Sequence, residues 1–291
     1  SVRLPGKVMK PLGQDTVIGF LLKRLAWSKR IDCLAVATSV EQEDDALAQS
    51  VSDLGYIVHR GAEQDVLGRF NDVVDGLSAD IIVRITGDCP LMDPEVVDAV
   101  IADYFHGEAD YVSNVIEPSF PDGLDVEVFS KEALQRAHRL AKTSFDREHV
   151  TPYLRESGQF LCRNLKSERD LSHLRLTLDE PEDYDAIKSI VDYFAPDQNF
   201  SLDDVVQYLE SANQVSETVN KGHLRNRGAG MNSGQKLWQR ARKVIPSGNM
   251  LLSKRPEMFL PERWPAYFSR TKGCRVWDLD GNEYLDTSLM G

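Results

Sequence analysis

Short apolar runs alternate with amphipathic stretches along residues 1–211 of the chain. Residues 31–38 and 81–85 are apolar nearly throughout, which is typical of strands buried on both faces of a sheet. Residues 16–28 instead carry apolar side chains at helical spacing, and Asp15 precedes them as a candidate N-cap. Further helices are predicted at 43–54, 65–77, 94–104, 131–140, 147–156, 181–194 and 202–211, and further strands at 56–59, 111–113, 124–129, 160–164 and 175–178. This alternation predicts an α/β domain with a mixed, mostly parallel sheet flanked by helices.

The pattern changes after this domain. Residues 212–232 are polar, contain three glycines and lack periodicity, so we interpret them as a linker. Residues 233–291 begin with an amphipathic helical stretch at 234–244 and continue with short β-like pieces. The pair Asp280–Gly281 between the last two pieces predicts a hairpin. We therefore expect a large domain, a linker and a small α+β segment, in that order.

Composition narrows the classes of function. With 42% hydrophobic and 27% charged residues among 291, the chain resembles an ordinary globular protein, and no run of about 18 apolar residues predicts a membrane span. The net charge of −12, without Lys and Arg interleaved with aromatic residues, argues against nucleic-acid binding. The four cysteines are scattered without a Cys-x-x-Cys motif, and no signal peptide is visible. We expect a cytoplasmic protein with reduced thiols.

A basic loop, Ser-Val-Arg-Leu-Pro-Gly-Lys, opens the chain at residues 1–7. Gly6 allows backbone N–H groups to approach phosphates closely, and Pro5 fixes the turn. Arg3 and Lys7 supply the positive charge that a triphosphate and its pyrophosphate leaving group require. By themselves these residues are equally typical of a solvated basic loop.

The strongest internal motif is Thr-Gly-Asp-Cys-Pro-Leu at residues 86–91. Because it directly follows a predicted buried strand, Asp88 is expected at the carboxyl edge of the sheet, where ligands bind in open α/β folds. Gly87 leaves room for a nucleotide, and Asp88 is placed to hold Mg²⁺ against phosphate oxygens. The alternatives are that Asp88 caps the next helix, although Asp93 lies nearer to that helix, or that it only shapes a turn.

A second acidic segment begins at Asp179, again directly after an apolar predicted strand. Asp179 is the candidate second ligand for Mg²⁺, because two carboxylates from distant positions can hold this ion while it keeps several waters. A simple N-cap is the alternative role. Glu182 and Asp183 fall in the first turn of the next helix, where carboxylates favour the helix dipole, so we expect both to be structural.

Polar residues between these acidic sites are candidates for binding a second substrate. Asp125 and Glu127 share one face of the strand predicted at 124–129, where they either meet a hydroxylated ligand or face solvent. A predicted helix carries Arg147, Glu148 and His149, which suit a substrate acid or hydroxyl. A lone histidine in a helix is more often structural, so that alternative stays open.

Motifs at residues 3–7, 65–70, 86–91, 122–129, 147–153 and 178–184 occur in the order found in one family. Over its first 211 residues the chain resembles cytidylyltransferases of the spore-coat-polysaccharide type, relatives of the CMP-3-deoxy-manno-octulosonate and CMP-sialic acid synthetases. The resemblance implies a nucleotidyltransferase fold that is GT-A-like and Rossmann-like. It also implies a reaction of CTP with an acidic sugar that gives a CMP-sugar and pyrophosphate. Compared with the family, the first strand and the opening half of the first loop are missing.

The resemblance assigns a role to each motif. Arg3 and Lys7 would hold the triphosphate as the catalytic residues, whereas Asp88 and Asp179 would bind Mg²⁺. The nucleotide would be bound by Leu4, Pro5, Gly6, Arg69, Thr86 and Gly87, and the acceptor by Asp125, Glu148 and His149. Attack of a sugar hydroxyl on the α-phosphorus needs charge neutralisation and in-line positioning more than a protein nucleophile, which suits this set.

The end of the chain resembles a second family. Residues 237–248 and 272–286 are similar to the start of a class III aminotransferase, closest to the glutamate-1-semialdehyde aminomutase group. The resemblance implies that pyridoxal phosphate would bind only in an absent remainder beyond Gly291. The favoured hypothesis is a bifunctional enzyme of surface-glycan synthesis, cut at both ends, that self-associates as a homodimer by analogy with both families. The alternatives are a polyol phosphate or aminophosphonate as acceptor, or a non-catalytic scaffold for the aminotransferase.

Overall fold

The computed structural model of the chain describes residues 4, 6–211, 237, 267–272, 275–279 and 281–285. The chain divides into two compact units, Ser1–Arg225 and Asn226–Gly291. None of the helices within the described residues is long and apolar enough to cross a lipid bilayer.

Helices and strands alternate along the first unit. Its helices are α1 (Val17–Leu25), α2 (Asp45–Asp53), α3 (Val66–Leu77), α4 (Pro94–Phe105), α5 (Lys131–Leu140), α6 (Ser144–His149), α7 (Pro152–Glu156), α8 (Pro181–Phe194) and α9 (Leu202–Ser211). Its strands are β1 (Pro11–Leu12), β2 (Asp15–Thr16), β3 (Ala35–Ser39), β4 (Ile57–Gly61), β5 (Ile81–Arg84), β6 (Tyr111–Ser113), β7 (Glu127–Ser130) and β8 (Cys162–Asn164).

Two sheets form the centre of this unit. β3 and β4 pair in parallel. The larger sheet has the order β5–β7–β6–β8, in which β7 runs antiparallel to both neighbours and β8 runs parallel to β6. Apolar side chains of β7 alternate between two buried clusters, with Val128 packed towards α1, α4 and α8 and Phe129 towards α3 and α5. The predicted α/β class, with a mixed sheet flanked by helices, is confirmed.

Short polar side chains fix where several helices begin. Thr16 accepts a hydrogen bond from the N–H of Gly19 at the start of α1, and Ser130 caps α5 in the same way. The prediction that Asp15 caps the first helix is wrong. Thr16 directly precedes the helix in an extended conformation, whereas Asp15 pairs with Lys23.

Two predicted strands differ from the structure. The strand predicted at 124–129 begins only at Glu127, so Asp125 lies before it and the two carboxylates do not share one strand face. Burial of β3 on both faces is also wrong, because Ala35, Val36 and Ala37 are only half-buried. Among the described strands only β4 pairs with β3, so the other edge of β3 has no strand partner among the described residues.

Tertiary contacts also overturn two local predictions. Residues 175–178 form no regular strand, since their pairing is limited to a single parallel bridge between Asp122 and Arg175. The helix predicted at 147–156 is divided into α6 and α7 by Val150, which has a φ of 71°. A helix cannot continue through a residue with positive φ.

The described strands of the second unit form an antiparallel meander of β9 (Phe268–Lys272), β10 (Arg275–Asp278) and β11 (Glu283–Leu285). The Asp278 carboxylate accepts hydrogen bonds from the backbone and side-chain N–H groups of Asn282 and so closes the turn. The predicted hairpin is confirmed, although Asp280 lies outside the described residues. The helix predicted at 234–244 also lies outside them, apart from Leu237.

Candidate active site

A lysine and two carboxylates from distant parts of the chain meet at one place. The Lys7 ammonium donates to Oδ2 of Asp88 at 2.8 Å and to Oδ1 of Asp179 at 2.9 Å. The three side chains are only 14%, 19% and 5% exposed, respectively. Burial lowers the pKa of Lys7, but the two carboxylates outweigh burial and raise it above its ordinary value. We call these residues the Lys7 cluster.

The backbone holds the members of the Lys7 cluster together. Gly6, with a φ of 64°, directly precedes the 3₁₀ turn that carries Lys7, and glycine adopts this left-handed conformation without strain. Asp88 follows β5, and its carbonyl oxygen accepts a hydrogen bond from the N–H of Leu178 at 2.8 Å. This bond joins the loop of Asp88 to the residue immediately before Asp179.

Neither carboxylate of the cluster caps a helix. The N-cap of α4 is Asp93, whose side chain accepts a backbone hydrogen bond at 2.8 Å. The N-cap of α8 is Glu180, in a reciprocal capping box with Asp183. The capping alternatives for Asp88 and Asp179 are therefore wrong, whereas the structural role expected of Asp183 is confirmed.

Sequence reasoning missed Arg175, which contacts the carboxylate oxygen of Asp179 that Lys7 does not contact. Its guanidinium donates to Asp122 at 2.8 Å, to Oδ2 of Asp179 at 2.9 Å and to both carboxylate oxygens of Asp183 at 3.2 Å. Burial lowers the pKa of Arg175, but hydrogen bonds and charge from Asp183 and Asp122 raise it above its ordinary value. The available sequence signal was an arginine four residues before Asp179. That spacing alone does not identify the other two partners.

The two carboxylates of the cluster fit a magnesium ion. No group of three or more His, Cys, Asp or Glu side chains suited to a metal occurs within the described residues. Mg²⁺ commonly binds one or two carboxylates and completes its octahedron with waters and substrate phosphates. The Lys7 ammonium lies within 2.9 Å of both Asp88 and Asp179, so the two acids converge on one positive charge. This donor set suits Mg²⁺ that arrives with a nucleotide.

The residue after Asp88, Cys89, has a buried thiol on which the charge of Asp125 acts. Burial and the charges of Asp88 and Asp125 raise the pKa of Cys89 well above its ordinary value, so the thiol remains protonated. The hydroxyl of Thr86 lies 3.1 Å from this sulfur. A Cβ added at Gly87 would meet its nearest neighbour at 3.5 Å, an ordinary contact, so the need for glycine there stays a prediction.

Of the remaining residues of the first loop, Arg3 and Pro5 lie outside the described residues. Leu4 is 7% exposed and belongs to the larger apolar cluster. Its side chain therefore anchors the loop in the core, which leaves only its backbone for the nucleotide contact predicted from the sequence.

Arg69 lies at a second place, beside the carboxyl end of β4. Its side chain crosses Gly61 so closely that an added Cβ would lie 2.5 Å from Cγ of Arg69. Burial lowers the pKa of Arg69, opposed by the charges of Asp44 and Asp65. No hydrogen bond or ion pair within the described part of the chain links Arg69 to the Lys7 cluster, so its nucleotide-binding role stays a prediction.

Glu148 and His149 lie on α6, which an ion pair between Arg147 and Asp65 ties to the start of α3. Glu148 is exposed, whereas His149 is half-buried with its ring 4.5 Å from that of Phe145. The ion pair thus links the motif at residues 65–70, which contains Arg69, to the motif at residues 147–153, which contains His149. The acceptor-binding role of both residues stays a prediction.

A strained turn follows His149. Val150 is fully buried with φ 71° and ψ −56°, and the N–H of Thr151 donates to the carbonyl of His149 at 2.9 Å. These values describe a γ-turn of the rare positive-φ type. A β-branched residue is strained in this conformation, and such strain concentrates at functional sites.

Glu127 is neither solvated nor open to a ligand. It is 4% exposed, accepts a hydrogen bond from the hydroxyl of Tyr111 at 2.6 Å and pairs with Arg84 on the neighbouring strand. Burial raises its pKa, but the positive charges of Arg84 and Arg155 outweigh burial, and the net pKa lies below its ordinary value. Both sequence-based alternatives for Glu127 are therefore wrong.

Known proteins resemble most of this chain. The uncharacterized protein MJ1063 of Methanocaldococcus jannaschii is 36% identical over 220 residues, which cover 74% of this chain and 88% of that protein. The spore coat polysaccharide biosynthesis protein SpsF of Bacillus subtilis is 36% identical over 200 residues, covering 65% and 81%. A solved structure of a cytidylyltransferase from Leptospira borgpetersenii matches with a TM-score of 0.71 at 32% identity, covering 76% and 92%.

Two further similarities cover shorter parts of the chain. A 3-deoxy-manno-octulosonate cytidylyltransferase of Pelobacter propionicus is 34% identical over 103 residues, covering 35% of this chain and 39% of that protein. A 3-aminobutyryl-CoA aminotransferase of Cloacimonas acidaminovorans is 42% identical over 50 residues, which cover 17% of this chain and 12% of that enzyme.

The family profile described as cytidylyltransferase matches residues 1–225, a span that includes Lys7, Asp88, Asp179 and Arg175. The match covers the whole first unit. The Leptospira structure shows the same α/β nucleotidyltransferase fold, and the likeness holds both in the sequence and in the backbone. This chain belongs to the cytidylyltransferase family.

Proposed function

We propose that this protein transfers CMP from CTP to an acidic sugar at the Lys7 cluster, with release of pyrophosphate. The observation that carries the proposal is the convergence of the Lys7 ammonium with Asp88 and Asp179 at 2.8 and 2.9 Å. A cation-binding pair of carboxylates beside a lysine suits a nucleoside triphosphate, whose phosphates need both kinds of positive charge.

In the proposed reaction an acceptor hydroxyl oxygen attacks the α-phosphorus of CTP. The bond between this phosphorus and the oxygen bridging to the β-phosphate breaks, and pyrophosphate leaves with the electron pair while the hydroxyl proton is released. Mg²⁺ held by Asp88 and Asp179 would neutralise the charge of the phosphates. Lys7 would bind phosphate oxygens as an ammonium.

Similarity and placement support the choice of acceptor. SpsF is named for polysaccharide biosynthesis, and the Pelobacter relative is named for an eight-carbon acidic sugar. The negative charge of Asp125 acts on the thiol of Cys89, the residue next to Asp88, and we expect Asp125 to accept hydrogen bonds from sugar hydroxyls. Arg3, Glu148 and His149 keep their predicted roles in phosphate and acceptor binding.

We also propose that residues 233–291 are the start of an aminotransferase domain, which makes the protein bifunctional. The 50-residue similarity to an aminotransferase and the motifs in residues 237–248 and 272–286 support this proposal. A fused aminotransferase suits an amino-bearing acidic sugar, because the second activity would install that amine.

The nucleotide is tested by thermal unfolding with Mg²⁺ and CTP, UTP, ATP or GTP separately. We expect the unfolding temperature to rise with CTP alone and this rise to be lost in Asp88→Asn. Pyrophosphate release is then measured with CTP and a panel of ulosonic acids, polyol phosphates and aminophosphonates. Stabilisation by a different nucleotide, or turnover restricted to the non-sugar acceptors, would contradict the proposal. The matched control is Asp103→Asn, which removes an acid of an ion pair with Arg163 outside the cluster.

A further inference from the structure

Asp179 is held by a different cation on each carboxylate oxygen. Oδ1 accepts from Lys7 at 2.9 Å, whereas Oδ2 accepts from Arg175 at 2.9 Å. The carboxylate is 5% exposed, and its rotation about the Cβ–Cγ bond is fixed by this pair of contacts. Oδ1 is thereby directed at the point where Asp88 also converges.

Arg175 is itself fixed by two other buried acids. Asp122 and Asp183, each 4% exposed, accept from Nη1 and from the Nε–Nη2 edge of the guanidinium. All three guanidinium nitrogens, Nε, Nη1 and Nη2, therefore donate hydrogen bonds, and these fix the orientation of the side chain. A lysine would present a point charge at this place and could not match these acids in a plane.

Asp183 connects this fork to the backbone that carries the ligand. Its Oδ2 accepts from the backbone N–H groups of Asp179 and Glu180 at 2.9 and 2.8 Å. The same carboxylate therefore sets the main chain of Asp179 and the guanidinium of Arg175. Supporting contacts of this kind orient metal-binding carboxylates and tune their affinity.

We propose that Arg175 is a positioning residue for cation binding, which aims Oδ1 of Asp179 at the metal site. The inference rests on the proposed function, in which Asp179 is a Mg²⁺ ligand. The competing interpretation is that Arg175 only neutralises buried acids and stabilises the fold. The two interpretations differ in what a charge-conserving substitution does to metal affinity.

The test compares Arg175→Lys with wild type by titration of Mn²⁺ in the presence of CTP without acceptor, followed by electron paramagnetic resonance. We expect Mn²⁺ to bind about 10- to 100-fold more weakly, because the fork is lost while the charge stays. The concentration of Mg²⁺ that gives half-maximal turnover should rise by a similar factor. Arg163→Lys is the matched control, since Arg163 forks onto Asp103 away from the cluster, and its Mn²⁺ affinity should not change.

Thermal unfolding of the same proteins separates positioning from stability. Arg175→Lys with a lowered unfolding temperature but wild-type Mn²⁺ affinity would overturn the proposal. If Arg175→Lys does not fold, Asp122→Asn loosens the same fork, and unchanged Mn²⁺ affinity in that variant is equally decisive. Asp179→Asn separates the two levels of inference. If its Mn²⁺ affinity equals that of wild type, the ligand assignment in the proposed function is wrong, whereas a loss there without a loss in Arg175→Lys refutes only the role of Arg175.

Discussion

Replacement of Lys7 by methionine should weaken catalysis and yet strengthen cation binding in the absence of nucleotide. Methionine keeps much of the length of the side chain and removes its charge. The two carboxylates that now share the ammonium, Asp88 and Asp179, would then face each other with no monovalent cation between them. A divalent ion should bind them more readily.

The distances set the magnitude. Opposite unit charges 2.8 Å apart attract by about 6 kcal/mol at an effective dielectric constant of about 20, and the second pair at 2.9 Å is similar. Desolvation and the residual exposure of Asp88 offset much of this, so we expect Lys7→Met to lower the free energy of unfolding by about 3 kcal/mol. If a bound cation recovers half of that loss, its dissociation constant without nucleotide falls about tenfold.

The assay is a Mn²⁺ titration of the nucleotide-free protein, followed by thermal unfolding at each Mn²⁺ concentration. Lys7→Met should bind Mn²⁺ more tightly than wild type and gain more stability from it, while CTP turnover falls at least about 100-fold because a charge on the phosphates is lost. Lys7→Arg is the control, since it keeps the positive charge between the carboxylates. Mn²⁺ affinity in Lys7→Met equal to or below that of wild type would refute the idea that ammonium and metal share these acids.

Three further predictions concern the frame around the site. Val150→Gly should be more stable than Val150→Ala by about 1 kcal/mol in denaturant unfolding, because glycine relieves the positive φ of 71°, and the usual opposite order would show that the turn is unstrained. Gly123→Ala should lower the free energy of unfolding by more than about 2 kcal/mol, because φ is 107° and a Cβ would lie 2.5 Å from the carbonyl carbon of Leu176. Since Leu176 follows Arg175, CTP binding should weaken as well. An unaltered unfolding curve would contradict this close approach. Glu127→Gln should flatten the loss of stability at acid pH. The folded pKa of Glu127 lies below its ordinary 4.5, so its contribution is present above that pH and is lost as the pH falls through the lowered value. The free energy of unfolding is measured by urea denaturation between pH 3 and 7. If its decrease at acid pH is the same in Glu127→Gln and wild type, Glu127 is not the titrating group.

Local patterns predicted most elements of the first unit, and they failed where a partner is distant. The apolar runs found β3, β5 and β7, and the periodic stretches found α1 to α5 and α8 to α9. The single helix expected at 147–156 failed at Val150, because its φ of 71° ends the helix and a buried valine gives no local sequence signal for such a turn. The solvated face that was one alternative for Glu127 is wrong because Arg84, on the neighbouring strand, compensates for its buried charge.

The candidate site shows the same division. The sequence by itself singled out Lys7, Asp88 and Asp179 as candidate site residues, because Lys7 and Asp88 each follow a glycine and the family resemblance marks all three, and it placed the chain in its family. Only the tertiary structure decided that these charges meet within 2.9 Å and that Arg175 binds the second carboxylate oxygen of Asp179. The physical reason is that turns and strand ends are set by nearest neighbours along the chain. A buried charge, by contrast, needs oppositely charged partners, and for Lys7 the fold brings both from more than 80 residues away.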